Sequence, residues 1–465
     1  MDTHIKDLKP VRYYGGSAGV ILPFIVFVAG VIIVSLSGAP NEKGFWPVLI
    51  LALMIGLVLA RNRRDYCETV IQGMSRPIVM IMITAWILAS VIGVLMSETG
   101  FIEALTWTAG RIQAGGAVFV PAAFLICAVV SVSTGSSFGT ILICGPLLYP
   151  AGGLLGAHPA LLAGAIIGGA TFGDSIAPIS DTTIAGALSQ KADIGGTVRS
   201  RLKYALPAGA AALLLFAAAA MFQPGVSQAG AEVISGSPSG LPMILVPVVI
   251  IGLLFAGRHL LEGLFAGLAA GVILGLALGL LEPARLFSLD TEHFTAQSFL
   301  IDGIERAVGI SIFTILLMGL VTALEASGLL HRLVDYASRR SRSVRSAETW
   351  IAGAVSGAVL LTCHSIVAIL TVSEFARLTG EKMKIHPYRR ANLLSLTVST
   401  YPFILPYFIP VILTANTTLA GSDYGLPPVS PLQAGLHNFY SWMVLAVVAA
   451  MLVFGYGRKA VKSKE

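Results

Sequence analysis

The sequence predicts an all-α polytopic membrane protein built as two inverted repeats, each with five transmembrane crossings, one re-entrant hairpin and helices broken at the midplane. Three observations carry this. The 465 residues are 55% hydrophobic and 12% charged, with a mean hydropathy of +0.84, more apolar surface than a water-soluble core of this size can hide. Landmarks recur along the chain at one fixed separation. Clusters of Lys and Arg alternate with basic-poor segments in the order that two oppositely oriented copies require.

Stretches such as Gly19–Leu36, Pro77–Met96, Ala205–Phe222 and Leu436–Tyr456 approach the ~20 apolar residues that span a bilayer. The formal net charge of +6 sits in short basic clusters between such runs, so it speaks for orientation in a membrane and not for a nucleic-acid partner. Cys67, Cys127, Cys144 and Cys363 have no paired metal-ligand spacing. Three fall in apolar segments and Cys67 in a basic loop, so free thiols are expected. The first apolar run has no small-residue cleavage site after it and reads as a retained span.

The repeat shows in three pairs. Gly100 in SETGFIEALTWTAGR pairs with Gly328 in EASGLLHRLVDYASR, Thr134 in STGSS with Thr362 in LTCHS, and Pro178 in IAPIS with Pro406 in ILPYF, each pair 228 residues apart. The copies are residues 18–222 and 241–456. A cytoplasmic N-terminal segment (1–17), an extracytoplasmic linker (223–240) and a cytoplasmic tail (457–465) complete the chain.

Charge orients each copy. Arg61, Arg63, Arg64 and Arg76 follow two spans, so they share a side with Lys6, Lys9 and Arg12, and the positive-inside rule makes that side cytoplasmic. Segment 98–116 carries only Arg111, whereas its counterpart 326–346 carries Arg332, Arg339, Arg340, Arg342 and Arg345. The same position is outside in one copy and inside in the other. Lys191, Arg199, Arg201 and Lys203 then fall inside, as do Arg377, Lys382, Lys384, Arg389 and Arg390, while 223–240 and 419–436 lack Lys and Arg and fall outside. Ten crossings, hairpins at about 117–153 and 347–378 with tips near Ser133–Ser137 and Thr362–Ser365, and two cytoplasmic termini satisfy this pattern. The location expected is the bacterial cytoplasmic (inner) membrane.

Inverted-repeat transporters place their sites where helices break near the midplane, and the chain has four such breaks. Ser131–Thr140 (SVSTGSSFGT) concentrates hydroxyls and glycines, Thr134, Ser136 and Ser137 among them; they either cradle an ion or carboxylate at half-helix ends or serve close helix packing. Gly173–Thr183 (GDSIAPISDTT) places Asp174 and Asp181, with Ser180 and Thr182, around Pro178. Proline disrupts the helix and frees carbonyls for a cation. A carboxylate at depth costs at least ~2.5–3.5 kcal/mol and so protonates or recruits a cation, the choice on which proton/cation exchange turns. Asp181 alternatively caps the next half-helix.

The other two breaks are symmetry mates. Thr362, Cys363, His364 and Ser365 should face the first tip. His364, with an ordinary pKa of about 6.5, either exchanges protons or bonds a backbone carbonyl. Asn392–Pro406 carries Pro402 and Pro406, with Asn392, Ser395, Ser399 and Thr400 as candidate ligands and no acid. Tyr401, Phe403, Tyr407 and Phe408 either line an organic-solute pocket or pack against lipid and core. Gly263, Gly267, Gly271, Gly275 and Gly279 recur every four residues as a scaffold or dimer packing face. Glu98 and Glu325 lie near span ends, and Glu374 lies deeper in the second hairpin.

GATFGDSIAPISDTTIAGA resembles the GDxxSPxSDTT signature of NhaC-type Na+/H+ antiporters, and STGSSFGT resembles that family's TGSSWGT element; together they cover residues 133–187. The resemblance implies the ion-transporter superfamily fold, a homodimer with scaffold and transport domains, and Na+ bound near Ser136, Asp174 and Asp181. Ala177 stands where the family has Ser, and His364 and Ser395 stand where acids are usual, which removes carboxylates from the second half.

The expected function is therefore secondary active transport, Na+(Li+)/H+ antiport by alternating access with both ions competing at Asp174 and Asp181. The alternative is an ion-coupled carrier or exchanger of a small organic acid or amino acid, which a basic side chain in the pocket would favour; the breaks contain no Lys or Arg. A channel fits poorly with inversion. An enzyme is not expected, since no nucleophile–base pair or metal motif occurs. No cofactor is expected; Na+ and H+ are cargo. The expected partners are membrane lipid, these ions, a small organic solute and a second copy.

Overall fold

A computed structural model describes residues 10–37, 42–111, 115–223, 237–291, 295–341 and 343–458. Most of the N-terminal segment, most of the linker and the tail beyond Arg458 lie outside the described residues, together with Lys6, Lys9 and Arg342. The rest is overwhelmingly helical. Eight helices are long and apolar enough to cross a bilayer, and Lys43–Leu59, Pro238–Leu254 and Phe439–Val453 are shorter apolar helices. Large apolar side chains face outward along them, including Leu36, Leu214 and Ile273, which only a lipid surround accommodates. The chain is a multi-pass membrane protein. Thr295–Gln297 pairs antiparallel with Ser288–Asp290, a small hairpin that departs from the all-α expectation.

The first part of the chain runs through α1 (Ser17–Leu36), α2 (Trp46–Leu59), α3 (Arg63–Met74), α4 (Pro77–Glu98) and α5 (Phe101–Arg111). α6 (Gly116–Thr134) and α7 (Ser137–Leu154) form a hairpin, followed by α8 (Pro159–Ile176), α9 (Asp181–Ser189) and the long α10 (Ile194–Phe222). The second part comprises α11 (Leu245–Phe255), α12 (Leu260–Ala277), α13 (Phe299–Ala326), α14 (Leu329–Arg340), the hairpin α15 (Val344–Thr362) and α16 (Ser365–Lys382), α17 (Pro387–Val398), α18 (Ile409–Thr417), α19 (Pro431–Leu436) and α20 (Phe439–Val453).

The 228-residue spacing extends to the element boundaries. Both ends of α6 and α15, of α7 and α16, and of α9 and α18 are 228 residues apart, as are the starts of α8 and α17. The causes are local and shared. α8 and α17 each begin with proline at the first helical position behind a histidine N-cap, where proline's missing N–H is not needed. α6 ends at Gly135 and α15 at Cys363, both left-handed with φ of 64° and 52°, the usual way to free a helix end for a sharp reversal. The copies diverge before α4. The first has α3, whose Gly73 lies against the Met318 carbonyl of α13, where the second has the β-hairpin. Cys67 therefore sits exposed on a helix and not in a loop, and all four cysteines are free.

Two helix groups result. α1–α4 pack with α11–α13, and α6–α10 pack with α15–α20. Gly267 and Gly271 of α12 face Ile250 and Val246 of α11, and Gly271 also meets Leu95 of α4, so the glycine ladder serves close packing within the chain. Gly279 lies beyond the helix end.

Candidate functional site

Six helix ends and two hairpin tips meet around one cavity of about 70 Å³, lined by Ser136, Ser137, Asp174, Asp181, His364 and Ser399 among others. Residues from both halves enclose it. The tip of the first hairpin rests on the α8–α9 break: a Cβ on Gly135 would lie 2.9 Å from the backbone carbonyl of Ile179. With φ of 64° as well, this position is built for glycine. Ser136 caps α7, its hydroxyl accepting the Gly139 N–H at 3.1 Å. The α7, α9, α16 and α18 N-termini end at the cavity, and so do the C-termini of α6, α8, α15 and α17. Their partial charges of about half a unit, positive and negative, offset one another. The formal charges of Asp174 and Asp181 therefore set the sign of the site, and it suits a cation.

Asp174, on the last turn of α8, is half-buried; the hydroxyls of Ser137 and Ser180 face it, and Asp181 and Arg201 are its charged neighbours. Asp181 opens α9 and is exposed, where a carboxylate also complements the helix dipole. Ser180 and Thr182 bond each other at 3.0 Å. In the second half His364 and Ser365 line the cavity, and the His364 Nδ1 atom is buried without a protein partner. Phe403 and Phe408 form part of the wall, whereas Tyr407 packs edge-on against Phe27.

Four candidates lie beside the cavity without lining it. The Thr134 hydroxyl reaches the Ser136 carbonyl and Thr140, and Thr362 Oγ1 donates to the His364 carbonyl at 3.2 Å while accepting its N–H. Thr400 donates to the Thr397 carbonyl. Asn392 accepts a hydrogen bond from Arg201 at 3.0 Å. Ser395 donates to the Thr182 carbonyl and closely approaches Gly186, so it joins α17 to α9. Glu374 is exposed and does not line the cavity; Glu98 and Glu325 pair with Arg285 and Arg76.

Arg201 corrects the sequence reading most. Counted there as a loop cation, it is 1% exposed on α10. Its Nη1 donates to the Ser175 carbonyl at 3.0 Å and to Thr183 Oγ1 at 2.8 Å, and Nε donates to Asn392. One guanidinium thus ties α8, α9 and α17 together behind Asp174, and its Nη2 is buried without a protein partner. Arg389 and Arg390, also read as loop charges, are 4% and 3% exposed. Arg389 pairs with the fully buried Glu348 of α15 and donates to the Met451 and Tyr456 carbonyls, and Arg458 bonds the same carboxylate. The signal available was α10 itself, an apolar run into which the 199–203 cluster leads without a break.

Residues 14–221 match the family model of the Na+/H+ antiporter family. That stretch holds the first hairpin, the Asp174–Asp181 break and Arg201, and stops before the second half of the site. Over 177 residues the chain is 29% identical to the malate-2H+/Na+-lactate antiporter of Bacillus subtilis, covering 38% of this chain and 37% of that one. Over 147 residues it is 33% identical to the Na+/H+ antiporter NhaC of Alkalihalophilus pseudofirmus, covering 29% of each. Over 101 residues it is 38% identical to the arginine/ornithine antiporter ArcD of Halobacterium salinarum, 22% of this chain and 21% of that one. The chain thus matches well under half the length of each of these relatives, and each printed name is that of an antiporter.

Proposed function

We propose that the protein is a secondary active transporter, a Na+(Li+)/H+ antiporter in which the two ions compete at Asp174 and Asp181 during alternating access, and that it is not an enzyme. The observation that carries this is the pair of carboxylates at a helix break, in a cavity walled by both hairpin tips. Sodium would sit among Asp174, Asp181 and the Ser136–Ser137 tip, with Ser180 and Thr182 as further oxygens. On the second-half side, His364, Ser365 and Ser399 would complete the wall, with Thr362, Asn392 and Thr400 behind it. Two carboxylates and the Arg201 guanidinium leave one negative charge, which one Na+ or one H+ balances. Such a site exchanges one for one and moves no net charge.

Matching helix boundaries at one separation support two repeats, and the alternation of basic loops supports their inversion, with five crossings and one hairpin each and both termini in the cytoplasm. An inner-membrane location and a homodimer complete the proposal.

The relatives named for malate and lactate and for arginine and ornithine motivate a second reading, exchange of a small organic solute. The cavity's size favours the ion. About 70 Å³ holds roughly two waters at ~30 Å³ each, whereas pockets for organic ligands run to ~300–1,000 Å³.

The test uses purified protein in liposomes with an imposed pH gradient and an interior pH dye. Na+ or Li+ should collapse the gradient, K+ and choline should not, and Asp174→Asn should abolish the response. Folded protein that answers to no cation, yet dissipates the gradient with malate, lactate or arginine, establishes the second reading instead.

A further inference from the structure

A second cavity of about 430 Å³ opens beside the start of α17, lined by Arg199, Ser200 and Lys203 of α10, by His386, Tyr388 and Arg389, and by Gly457 after α20. No acid lines it. The nearest, Asp193, is turned away to cap α10, accepting the Gly196 N–H and the Tyr388 hydroxyl. The cations differ in what they leave free. Arg389 spends its donors on Glu348, Tyr204 and backbone carbonyls. Lys203 gives one hydrogen bond, to the Gly457 carbonyl at 3.0 Å, and keeps two N–H groups. Arg199 is exposed and makes no hydrogen bond among the described residues. The Ser200 hydroxyl accepts from Asn392 and keeps its own proton.

A concave wall of unspent donors around uncompensated positive charge recognises a multiply accepting anion such as a phosphate. The rim decides the source. Phe454 is 84% exposed, and Tyr456, Val453 and Leu206 are also exposed; the Tyr456 hydroxyl donates to the Lys203 carbonyl. Apolar and aromatic side chains therefore lead from the basic cavity onto the lipid-facing surface, which is the shape of a headgroup site with room for acyl chains beside it. We propose that this cavity binds phosphate-bearing anions and is filled by the phosphodiester head of an anionic membrane lipid. Occupancy would clamp α10 to α17, the same two helices that the Arg201–Asn392 bond joins behind Asp174.

The test follows thermal unfolding of the full-length protein in a neutral detergent, titrated with phosphatidylglycerol, phosphatidylcholine, glycerol 3-phosphate or inorganic phosphate. Phosphatidylglycerol should raise the midpoint by several degrees, as a ligand of the folded state does. Arg199→Gln/Lys203→Gln should need at least tenfold more of it, while Arg63→Gln/Arg64→Gln on α3 should behave as wild type. Arg199→Glu alone, at an exposed position, should show the same loss should the double variant fold poorly. An equal response to glycerol 3-phosphate or inorganic phosphate overturns the lipid as occupant and leaves a soluble phosphate. No shift, an equal shift with phosphatidylcholine, or an unchanged titration in both variants overturns the site.

Discussion

The two sides of the ion cavity share a backbone plan and differ in chemistry. Counting 228 residues onward, Asp174 meets Pro402, Asp181 meets Ile409 and Arg201 meets Val429. Every formal charge at the first break thus corresponds to an apolar residue at the second, although α9 and α18 begin and end in register. At the tips the pairing is Gly135 with Cys363 and Ser136 with His364. Geometry was kept in both halves while charge was kept in one, which suggests that the second half supplies a wall and a hinge and the first supplies the binding energy.

Four substitutions bear on that contrast. Asp174→Asn should produce the largest effect, a loss of cation-driven pH-gradient collapse of at least a hundredfold with folding intact by thermal unfolding, whereas Pro402→Ala should retain transport. Comparable losses in both would erase the asymmetry. Next, Arg201→Gln should destabilise by about 2–4 kcal/mol, because it unpairs the Ser175 carbonyl and Thr183 in a buried site. It should also make residual exchange sensitive to an imposed membrane potential, since the ion-free site then carries two negative charges; insensitivity to potential would remove Arg201 from the charge balance.

Third, Gly135→Ala should lower stability by ~1–2 kcal/mol from its left-handed backbone, with more from the collision with Ile179. Cys363→Gly relieves the same kind of strain but loses a buried side chain, so a near-neutral midpoint is expected. Equal destabilisation in both would mean the tips are held alike. The smallest effect belongs to the link between the starts of α10 and α17. The Tyr388 hydroxyl, then the Gly196 N–H, hold the Asp193 carboxyl below its usual value. A lowered carboxyl stabilises the fold above its unfolded pKa near 3.9, and that contribution fades as pH falls through the lower folded value. Tyr388→Phe should therefore slightly flatten the dependence of the unfolding midpoint on pH below about 4.

Much of the fold was legible because proline, glycine and apolar length act locally. Pro159 and Pro387 start helices, Gly135 ends one, and the hairpin tips fall where hydroxyl residues interrupt apolar runs. The acidic break was legible because a carboxylate among apolar residues stands out. Arg201 was not, since loop and helix arginines look alike in a sequence and only packing shows which one carbonyls surround. Asn392 was read as a candidate ligand for the same reason: its partner is 191 residues away, and no local pattern points to it. The β-hairpin at Ser288–Gln297 escaped notice because strands of three residues leave no periodicity to read.

The shared boundaries from α6 to α9 and from α15 to α18 also constrain how this sequence can change length. One residue added within such a helix turns everything beyond it by about 100° and moves it about 1.5 Å, which would carry a tip or a carboxylate out of the cavity. Point substitutions are absorbed far more readily, as the replacement of acids by Pro402 and Ile409 demonstrates. Insertions and deletions should accordingly be confined to the stretch ahead of α4 and its counterpart ahead of α13, where one copy has a helix and the other a hairpin. In this chain, spacing is under stricter inheritance than residue identity.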